Sequence, residues 1–473
     1  MNSATSHSDT SGPTTATGTA AATVAAPNSL NVSELAAAEP DRIDRPATVD
    51  EVVSLVRHGC SGAGGFRVIS SGFNWGLGSA SGPTPGQHLV DLSGLDTIRT
   101  VDAERGYAIV EAGVTQAQLC DALASSGRFL NCTASSPDTS VLGNMMDRGV
   151  GLRHQRTEDL LGLEIVTASA DLGTVGWWPP DSGLAPNRYG LGPSSVQLFP
   201  QATFGIATAA VVRLLPTPET TNVVTFTAAE DTYDALIEVL RGAVRDRLSD
   251  AVIKVYDAGS SDIYGGHATV TGHICLDGSA DVVSAKRADL AGRLAPIGAW
   301  VLPEAEFAGD PLADAVARLY RGDVSRSEAI VQASLGRPTR EADAAGRGWL
   351  FVLPFVPFTA ADLSNARGIV HDVGVEHGVE VGTTVNVLGH DVVDLVIAIR
   401  FDRASPAATR AAHRASDELH RALVDAGYPP YRLDTAHQRS DVAPGTDLNA
   451  VVAARLKDAL DPTGRFGPSR YLS

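Results

Sequence analysis

The alternation of apolar and polar residues predicts short strands and amphipathic helices along most of the chain. Thr48 and Glu51 fit a helix capping box, and Val52 and Val56 follow on one face of the predicted helix. Residues 66–70 are typical of a short buried strand, which leads directly into a glycine-rich segment. Further elements predicted in the first half are strands 89–92, 98–101 and 108–111 and a helix over 115–126.

The pattern changes near residue 219, where a strand–helix–strand–strand–helix order begins and is later repeated. The first run has strands 223–226, 252–256 and 269–276, with helices over 233–248 and from 280. The second run has strands 349–355, 379–387 and 393–401, with helices 360–377 and 407–425. Such a repeat packs most simply as an antiparallel sheet with its helices on one face, so we expect an α+β lobe.

A length of 473 residues exceeds what one hydrophobic core usually supports, so two or more lobes are expected. The formal charge of −18 excludes nucleic acid and anionic membrane as main partners, because phosphate binding needs clustered Lys and Arg. The 4 cysteines lie too far apart for a zinc ribbon or a dense disulfide framework, and we expect no metal site.

Residues 1–30 form a Ser-, Thr- and Ala-rich run with little charge and no large apolar cluster. A secretory signal needs a basic start and a continuous apolar stretch, and neither is present. We expect residues 1–43 to be a disordered tail. No run of eighteen apolar residues interrupts the rest of the chain, so a cytoplasmic protein without a spanning helix is expected.

Several common catalytic motifs are absent. The sequence contains no G-x-x-x-x-G-K-[ST], no H-E-x-x-H and no G-x-S-x-G, which argues against a P-loop, a zinc site and a serine hydrolase. The run from Gly76 to Gly82 misses the dinucleotide-binding fingerprint by one residue. Taken alone, that loop is equally well explained as a structural turn.

Four separate regions become informative when they are considered together. The regions are 71–79, 140–151, 162–166 with 204–208, and 431–432 with 459–466. The second region contains the string S-V-L-G-N-M-M-D-R-G-V-G, and the last contains the pair Tyr431-Arg432. In order and spacing the four regions resemble the flavoprotein family of vanillyl-alcohol oxidase and p-cresol methylhydroxylase (PCMH), and the string is typical of its 4-alkylphenol-oxidising branch.

The resemblance covers roughly residue 46 to the C-terminus and is faint between 219 and 426. It implies an α+β fold of two lobes, an FAD-binding PCMH-type domain and a substrate cap built on an antiparallel sheet. The implied organisation is a tail over 1–43, an FAD-binding domain over 44–218, a cap domain over 219–426 and a C-terminal segment over 427–473 that returns to the FAD-binding domain.

The resemblance also implies which residues contact the cofactor. The pyrophosphate of FAD needs several backbone N–H donors, and glycine allows the backbone to approach closely. The implied FAD contacts are Ser71, Gly72, Phe73, Asn74, Trp75, Gly76, Leu77, Gly78, Ser79, Ser140, Val141, Gly143, Asn144, Arg148, Gly149, Ile165, Val166, Gly205 and Ile206.

Three residues are implied to be catalytic. Asp147 matches an acid that the family places beside flavin N5, and Tyr431 and Arg432 match a pair that binds a phenolate. Holding a phenol of pKa near 10 ionised at neutral pH costs about 4 kcal/mol, which a cation and a hydroxyl in a dry pocket could supply. The alternatives are an Asp147 that caps a helix or pairs with Arg148, a packed Tyr431, and an Arg432 paired with some carboxylate.

Departures from the family pattern also carry information. Asn74 stands where many relatives outside this branch have the histidine that bonds to the flavin, and Trp349 aligns with the covalent anchor in the cap. Neither side chain can form that bond, so we expect noncovalent FAD. Leu77 replaces a tyrosine that helps to bind the phenolate, which favours a substrate other than a small 4-hydroxybenzyl alcohol.

These implications predict an FAD-dependent oxidoreductase that takes hydride from a phenolic or alcohol-type small molecule, with O₂ as acceptor. One alternative is oxidative cyclisation or desaturation of a larger secondary metabolite. A second, from another class, is a catalytically silent protein of the same fold that binds a small molecule. Relatives often pair, so a homodimer is compatible with the resemblance.

Overall fold

The computed structural model describes residues 31–60, 64–82, 84–303, 310–439, 448–468 and 471. Its α-helices are α1 Val49–His58, α2 Gln116–Leu123, α3 Val141–Met146, α4 Tyr233–Arg245, α5 Ala258–Ile263, α6 Ala280–Leu294, α7 Pro311–Leu319, α8 Ser327–Leu335, α9 Ala360–His377, α10 Pro406–Asp425 and α11 Leu448–Leu460. The strands are β1 Arg42–Asp44, β2 Phe66–Ile69, β3 His88–Asp91, β4 Ile98–Asp102, β5 Tyr107–Glu111, β6 Arg128–Phe129, β7 Leu160–Val166, β8 Leu172–Gly176, β9 Ile206–Arg213, β10 Leu215–Pro216, β11 Thr220–Ala228, β12 Ile253–Tyr256, β13 Val270–Gly278, β14 Trp300–Val301, β15 Gly348–Pro357, β16 Glu380–Val387, β17 Val392–Phe401 and β18 Pro430–Arg432.

The first lobe combines two sheets around one core. Strands β1, β3 and β2 form a parallel sheet, and β4, β5, β9, β7 and β8 form an antiparallel sheet. Their apolar side chains share a buried cluster with those of helices α1, α2 and α3. Apolar and polar residues do not alternate along β7 and β9, because both strands are buried on both faces.

The second lobe is an antiparallel sheet of eight strands in the order β14-β11-β13-β12-β16-β17-β15-β18. Ile253 and Val255 of β12 share a core with apolar residues of helices α4, α6, α9 and α10 on one face. Residues between them in sequence, such as Lys254, therefore lie on the face toward the first lobe. This α+β architecture with an antiparallel cap is the one that the sequence predicts. Among the described residues, no helix is both long and apolar enough to cross a membrane.

The C-terminal segment connects the two lobes. Strand β18 pairs with β15, so it first extends the cap sheet. Farther along, the backbone N–H of Phe66 in β2 donates to the carbonyl of Arg465 at 2.7 Å, and Phe466 forms a bridge with Phe66. The side chain of Asp461 fixes this return, because it accepts from the backbone N–H groups of Arg465 and Phe466 at 2.8 Å each.

The prediction of a disordered tail is wrong for residues 31–43, whereas residues 1–30 lie outside the described residues. Asn31 and Val32 are fully buried between the lobes. The carbonyl of Val32 accepts from the backbone N–H of Trp349 in the cap at 2.8 Å, and β1 adds an edge to the first sheet. Backbone hydrogen bonds help to order this segment, and such bonds leave little trace in an amino-acid sequence.

Asp343 in the cap holds this segment against the glycine-rich loop. Its carboxylate accepts from the backbone N–H of Val32 at 3.0 Å, from Ser79 Oγ at 2.6 Å and from Trp75 Nε1 at 3.3 Å. One side chain of the cap thus fastens both the N-terminal segment and the loop.

Asp343→Ala is expected to lower the free energy of unfolding by about 2 kcal/mol, because three donors lose their acceptor in a largely buried place. Urea denaturation followed by tryptophan fluorescence measures the change. The matched control is Asp231→Ala, which removes an exposed carboxylate between β11 and α4 and should cost less than about 0.5 kcal/mol. Equal stability of the two variants would contradict the assigned role of Asp343.

Candidate active site

A long cleft runs across the first lobe and meets the cap at one end. It encloses about 1440 Å³ of empty space, including its opening to solvent. Its walls come from β2, the glycine-rich loop, the start of α3, residues 201–207 and the C-terminal segment. The predicted site residues that line it are Ser71, Gly72, Phe73, Asn74, Ser79, Ser140, Gly143, Asn144, Asp147, Gly205 and Arg432.

The glycine-rich loop presents backbone donors to this cleft. Gly72 has a φ of +74°, which lets the chain turn sharply at the end of β2. In the described part of the chain, the backbone N–H groups of Gly72, Phe73 and Asn74 have no hydrogen-bond acceptor. Consecutive unpaired N–H groups of this kind form a binding site for an anion.

Gly143 keeps the opposite wall close to the loop. A Cβ atom at Gly143 would lie 2.1 Å from Ser70 Oγ, so a larger residue would force the two walls apart. The N–H of Gly143 donates to Ser140 Oγ at 2.9 Å, which caps α3, and the N–H of Ser140 donates to Ser71 Oγ at 3.1 Å.

The other predicted cofactor residues lie outside the cleft lining. Several of them are buried in the core of the first lobe, and Leu77 packs beneath the cap. Arg148 and Gly149 form the turn after α3, where Gly149 lies against the side chain of Asn144. Contact of these residues with a cofactor stays a prediction: Trp75, Gly76, Leu77, Gly78, Val141, Arg148, Gly149, Ile165, Val166 and Ile206.

Asp147 ends α3 and is the centre of a hydrogen-bond network at the cap end of the cleft. Its Oδ2 atom accepts from Arg432 Nη2 at 2.6 Å, from Arg432 Nε at 3.1 Å and from Asn74 Nδ2 at 3.1 Å. Its Oδ1 atom accepts from the hydroxyl of Tyr471 at 2.7 Å. Asp147 therefore caps a helix and forms an ion pair, but its partner is Arg432 of the cap sheet.

Arg432 keeps its positive charge in this setting. Burial opposes the charge, but the neighbouring carboxylate of Asp147 outweighs burial and raises the pKa of the guanidinium above its ordinary value. Arg432 Nη2 also donates to Asn74 Oδ1 at 2.7 Å. The structure thus brings Asn74, Asp147 and Arg432, which are far apart in sequence, to one point.

Tyr431 points away from this point, because consecutive residues of a strand face opposite sides. Its hydroxyl donates to Asp394 Oδ2 at 2.9 Å, and its ring stacks on Phe355 with centroids 4.7 Å apart. Burial raises the pKa of Tyr431 well above 10, so the hydroxyl is neutral. Leu77 and Leu353 pack in the same apolar cluster.

Asp394 belongs to a buried polar row that crosses three strands of the cap. Its Oδ2 atom also accepts from Asn386 Nδ2 at 3.0 Å, and Lys254 Nζ donates to Asn386 Oδ1 at 2.5 Å. The register of the sheet sets this order, since Lys254 pairs with Asn386 and Asn386 pairs with Asp394. Burial raises the pKa of Asp394 to about 6, although hydrogen bonds from Asn386 and Tyr431 oppose the shift.

Sequence reasoning missed Asp394, Lys254, Gln201 and Tyr471. Gln201 Nε2 donates to the carbonyl of Tyr431 at 2.8 Å and so fixes β18. A usable signal existed for two of them: single charged residues interrupt apolar strands in V-V-D-L-V-I and V-I-K-V-Y. A charge at such a position is costly unless it is paired or has a role.

Comparison with known proteins agrees with this geometry. Residues 40–176 match a family model described as an FAD binding domain. The chain is 27% identical to the 1'-carboxy-chondrochloren decarboxylase of Chondromyces crocatus over 90% of this chain and 89% of that protein. It is 24% identical to the 4-cresol dehydrogenase [hydroxylating] flavoprotein subunit of Pseudomonas putida, over 92% and 88%. Its fold matches the crystal structure of p-cresol methylhydroxylase with substrate bound, with a TM-score of 0.82, 22% identity and coverage of 92% and 89%.

A cleft with a glycine-rich anion site, covered at one end by an antiparallel cap, and a matching FAD binding domain define an FAD-dependent oxidoreductase. Residues 40–176 match the FAD binding domain, and the chain as a whole has the fold of p-cresol methylhydroxylase, in agreement with the resemblance of its sequence motifs.

The residues of the cleft fit the cofactor. The unpaired N–H groups of the loop can bind the pyrophosphate, and the close approach of α3 at Gly143 forms the opposite wall of the cleft. Apolar side chains along the same cleft can contact flat rings, among them Phe66, Leu92, Leu142 and Phe466.

We expect FAD to be released when the protein is precipitated with acid, leaving a colourless pellet and a yellow supernatant. In the described part of the chain, no histidine or cysteine lines the cleft. Trp349 packs on Phe351 with ring centroids 4.6 Å apart and carries no nucleophile. A pellet that stays yellow after washing would show a covalent bond and refute this expectation.

Proposed function

We propose that the enzyme oxidises a phenolic or alcohol-type small molecule and uses O₂ as the final acceptor. Bound FAD supplies the acceptor of hydride at N5. The observation that carries the proposal is the arrangement of side chains where the cleft meets the cap. A cation contacts a carboxylate there, and the neighbouring residue in the chain is a tyrosine that contacts a second carboxylate. These groups are Arg432, Asp147, Tyr431 and Asp394.

Tyr431 and Asp394 are suited to remove the proton of a substrate hydroxyl. The proton of Tyr431 is directed at Asp394, so the lone pairs of the tyrosine oxygen remain available to a substrate hydroxyl. As the substrate proton passes to Tyr431, the proton of Tyr431 passes to Asp394, and the substrate becomes a phenolate. The carboxylate of Asp394 becomes a carboxylic acid in the same step.

Arg432 stabilises the negative charge that this transfer creates. Its guanidinium is held by Asp147 and Asn74, so it needs no reorganisation when a substrate binds. Asp147 in turn lies at the cleft, and its carboxylate accepts hydrogen bonds from both lobes. We propose that Asp147 serves the reacting end of the substrate, while Tyr431 contacts its oxygen and Arg432, on the other side of β18, stabilises the charge electrostatically.

Arg432→Ala is expected to slow anaerobic reduction of the flavin by about 100-fold or more, with a much smaller effect on FAD content. The reason is that Arg432 stabilises charge on the substrate, whereas the loop and α3 hold the cofactor. Stopped-flow absorbance with 4-hydroxybenzyl alcohol and other phenols measures the rate. Arg57→Ala, on the exposed face of α1, is the control. An unchanged rate in Arg432→Ala would remove this assignment.

The rate of reduction by phenols is expected to rise with pH through about 6, because only the ionised form of Asp394 can accept a proton. The sign follows from burial, which raises this pKa and so keeps the carboxyl protonated at lower pH. Lys254 and Arg432 favour the ionised form, and hydrogen bonds from Asn386 and Tyr431 act in the same direction. Asp394→Asn should abolish this limb of the profile and lower the plateau by about 100-fold. If the rate of Asp394→Asn still rises with pH through about 6, the pH dependence belongs to another group.

A second reaction class is favoured by Leu77. This side chain is 1% exposed and packs with Tyr431, so the oxygen site has an apolar wall in place of another hydroxyl. Oxidative cyclisation, desaturation or decarboxylation of a larger metabolite fits a site with fewer hydrogen bonds to one oxygen, and one relative is named as a decarboxylase. Product analysis by mass spectrometry, with peroxide measured alongside, separates these reactions from simple oxidation.

A further inference from the structure

The face of the cap sheet toward the first lobe carries a second polar region beyond Asp394. Lys254 lies on this face, because its neighbours Ile253 and Val255 belong to the core on the opposite face. The row from Tyr431 through Asp394 and Asn386 ends at Lys254. His273 continues it, since it pairs with Lys254 in the next strand.

An aromatic belt runs from Tyr256, whose ring centroid lies 5.3 Å from Lys254 Nζ, to the glycine-rich loop. Neighbouring ring centroids are 5.6 Å apart between Tyr256 and Tyr264, 5.6 Å between Tyr264 and Trp349 and 4.6 Å between Trp349 and Phe351. Phe351 in turn donates its backbone N–H to the carbonyl of Gly76 in the glycine-rich loop.

The belt and the polar row lie side by side on the face of the cap sheet toward the first lobe. Tyr264, Phe351 and Phe355 are only part-buried although they lie between the cap sheet and the first lobe. We call the region between the row 254–386–394–431 and the belt 256–264–349–351 the substrate chamber. Lys254 is at the end of the chamber that is farthest along the row from Tyr431.

Lys254 is a buried cation with a neutral partner. Its side chain is 8% exposed, and among the described residues its hydrogen-bond partner is the amide oxygen of Asn386. Burial lowers the pKa of Lys254 to about 8, so the ammonium group is still mostly protonated at neutral pH. A buried ammonium with two unused donors is costly, and an anion that reached it would offset that cost.

Two further atoms on the same face lack partners. Within the described residues, neither Asp394 Oδ1 nor His273 Nε2 has a hydrogen bond. Burial lowers the pKa of His273 to about 3, so its ring is neutral and Lys254 supplies the positive charge. Buried polar atoms without a hydrogen bond are rare in folded proteins. The presence of two such atoms on the same face as Lys254 therefore indicates a place where a polar ligand binds.

We propose that Lys254 binds a carboxylate of the substrate, so that the enzyme acts on aromatic compounds that carry an acidic group. This inference rests on the proposed function, since it places the substrate in the chamber. Asn386 separates Lys254 from Asp394, and Asp394 becomes neutral when it takes the substrate proton. The carboxylate is therefore not repelled in the state in which the phenolate forms.

The test compares ligands that differ in one charge. Binding of 4-hydroxybenzoate and of its neutral counterpart 4-hydroxybenzamide to the FAD-loaded enzyme is measured by isothermal titration calorimetry. The same comparison is made for anaerobic reduction by 4-hydroxymandelate and 4-hydroxybenzyl alcohol. The variants are Lys254→Met, which keeps the volume, and Lys254→Arg, which keeps the charge. Lys286→Met is the control, because Lys286 lies on α6 away from the chamber.

We expect the wild-type enzyme to bind 4-hydroxybenzoate more tightly than the amide. Lys254→Met should weaken binding of the benzoate by about 10- to 100-fold and that of the amide by less than about twofold, and Lys254→Arg should retain part of the preference. Equal losses for both ligands would mean that Lys254 acts only through Asp394, and would overturn the proposal. So would a wild-type enzyme without preference for the carboxylate. If the preference is present but no phenol is turned over, the proposed function fails and the assignment of Lys254 stands.

Discussion

The ion pair between Arg432 and Asp147 is the interaction on which the arrangement of the site depends. Arg432 belongs to the last strand of the cap sheet, and Asp147 ends a short helix of the first lobe. Both side chains are largely buried, so their charges are expensive to separate. The pair therefore fixes how the cap sits over the cleft, and Asn74 and Tyr471 complete the joint by bonding to the same carboxylate.

The chemistry of the cap follows from charges placed in an otherwise apolar sheet. Asp394 and Lys254 lie in strands whose other residues are mainly Val, Ile and Leu, and neither charge is exposed. Their separation by Asn386 leaves each of them incompletely compensated. Such groups titrate near neutrality because the interior penalises their charged forms, which is the property that acid–base and recognition residues require.

The sequence predicted the fold class, the family and FAD, because the motifs that carry them are contiguous. It also named Asn74, Asp147 and Arg432, which the structure brings into one hydrogen-bond network. Asp394 and Lys254 escaped notice because their importance arises from strand pairing between distant segments, and register cannot be read from one strand. The ordered segment 31–43 escaped notice because its order comes from backbone hydrogen bonds made with the cap.

Within the described residues, main-chain hydrogen bonds also join the lobes at three places: Trp349 to Val32, Phe351 to Gly76 and Val252 to Leu152. A hinged cap would have to break all of them at once, together with the buried ion pair. The hydrogen bonds thus hold the cap in place over the cleft, and a molecule is expected to reach the interior through the opening of the cleft to solvent. Size and shape at that opening, rather than domain closure, would then limit which compounds enter and how quickly products leave.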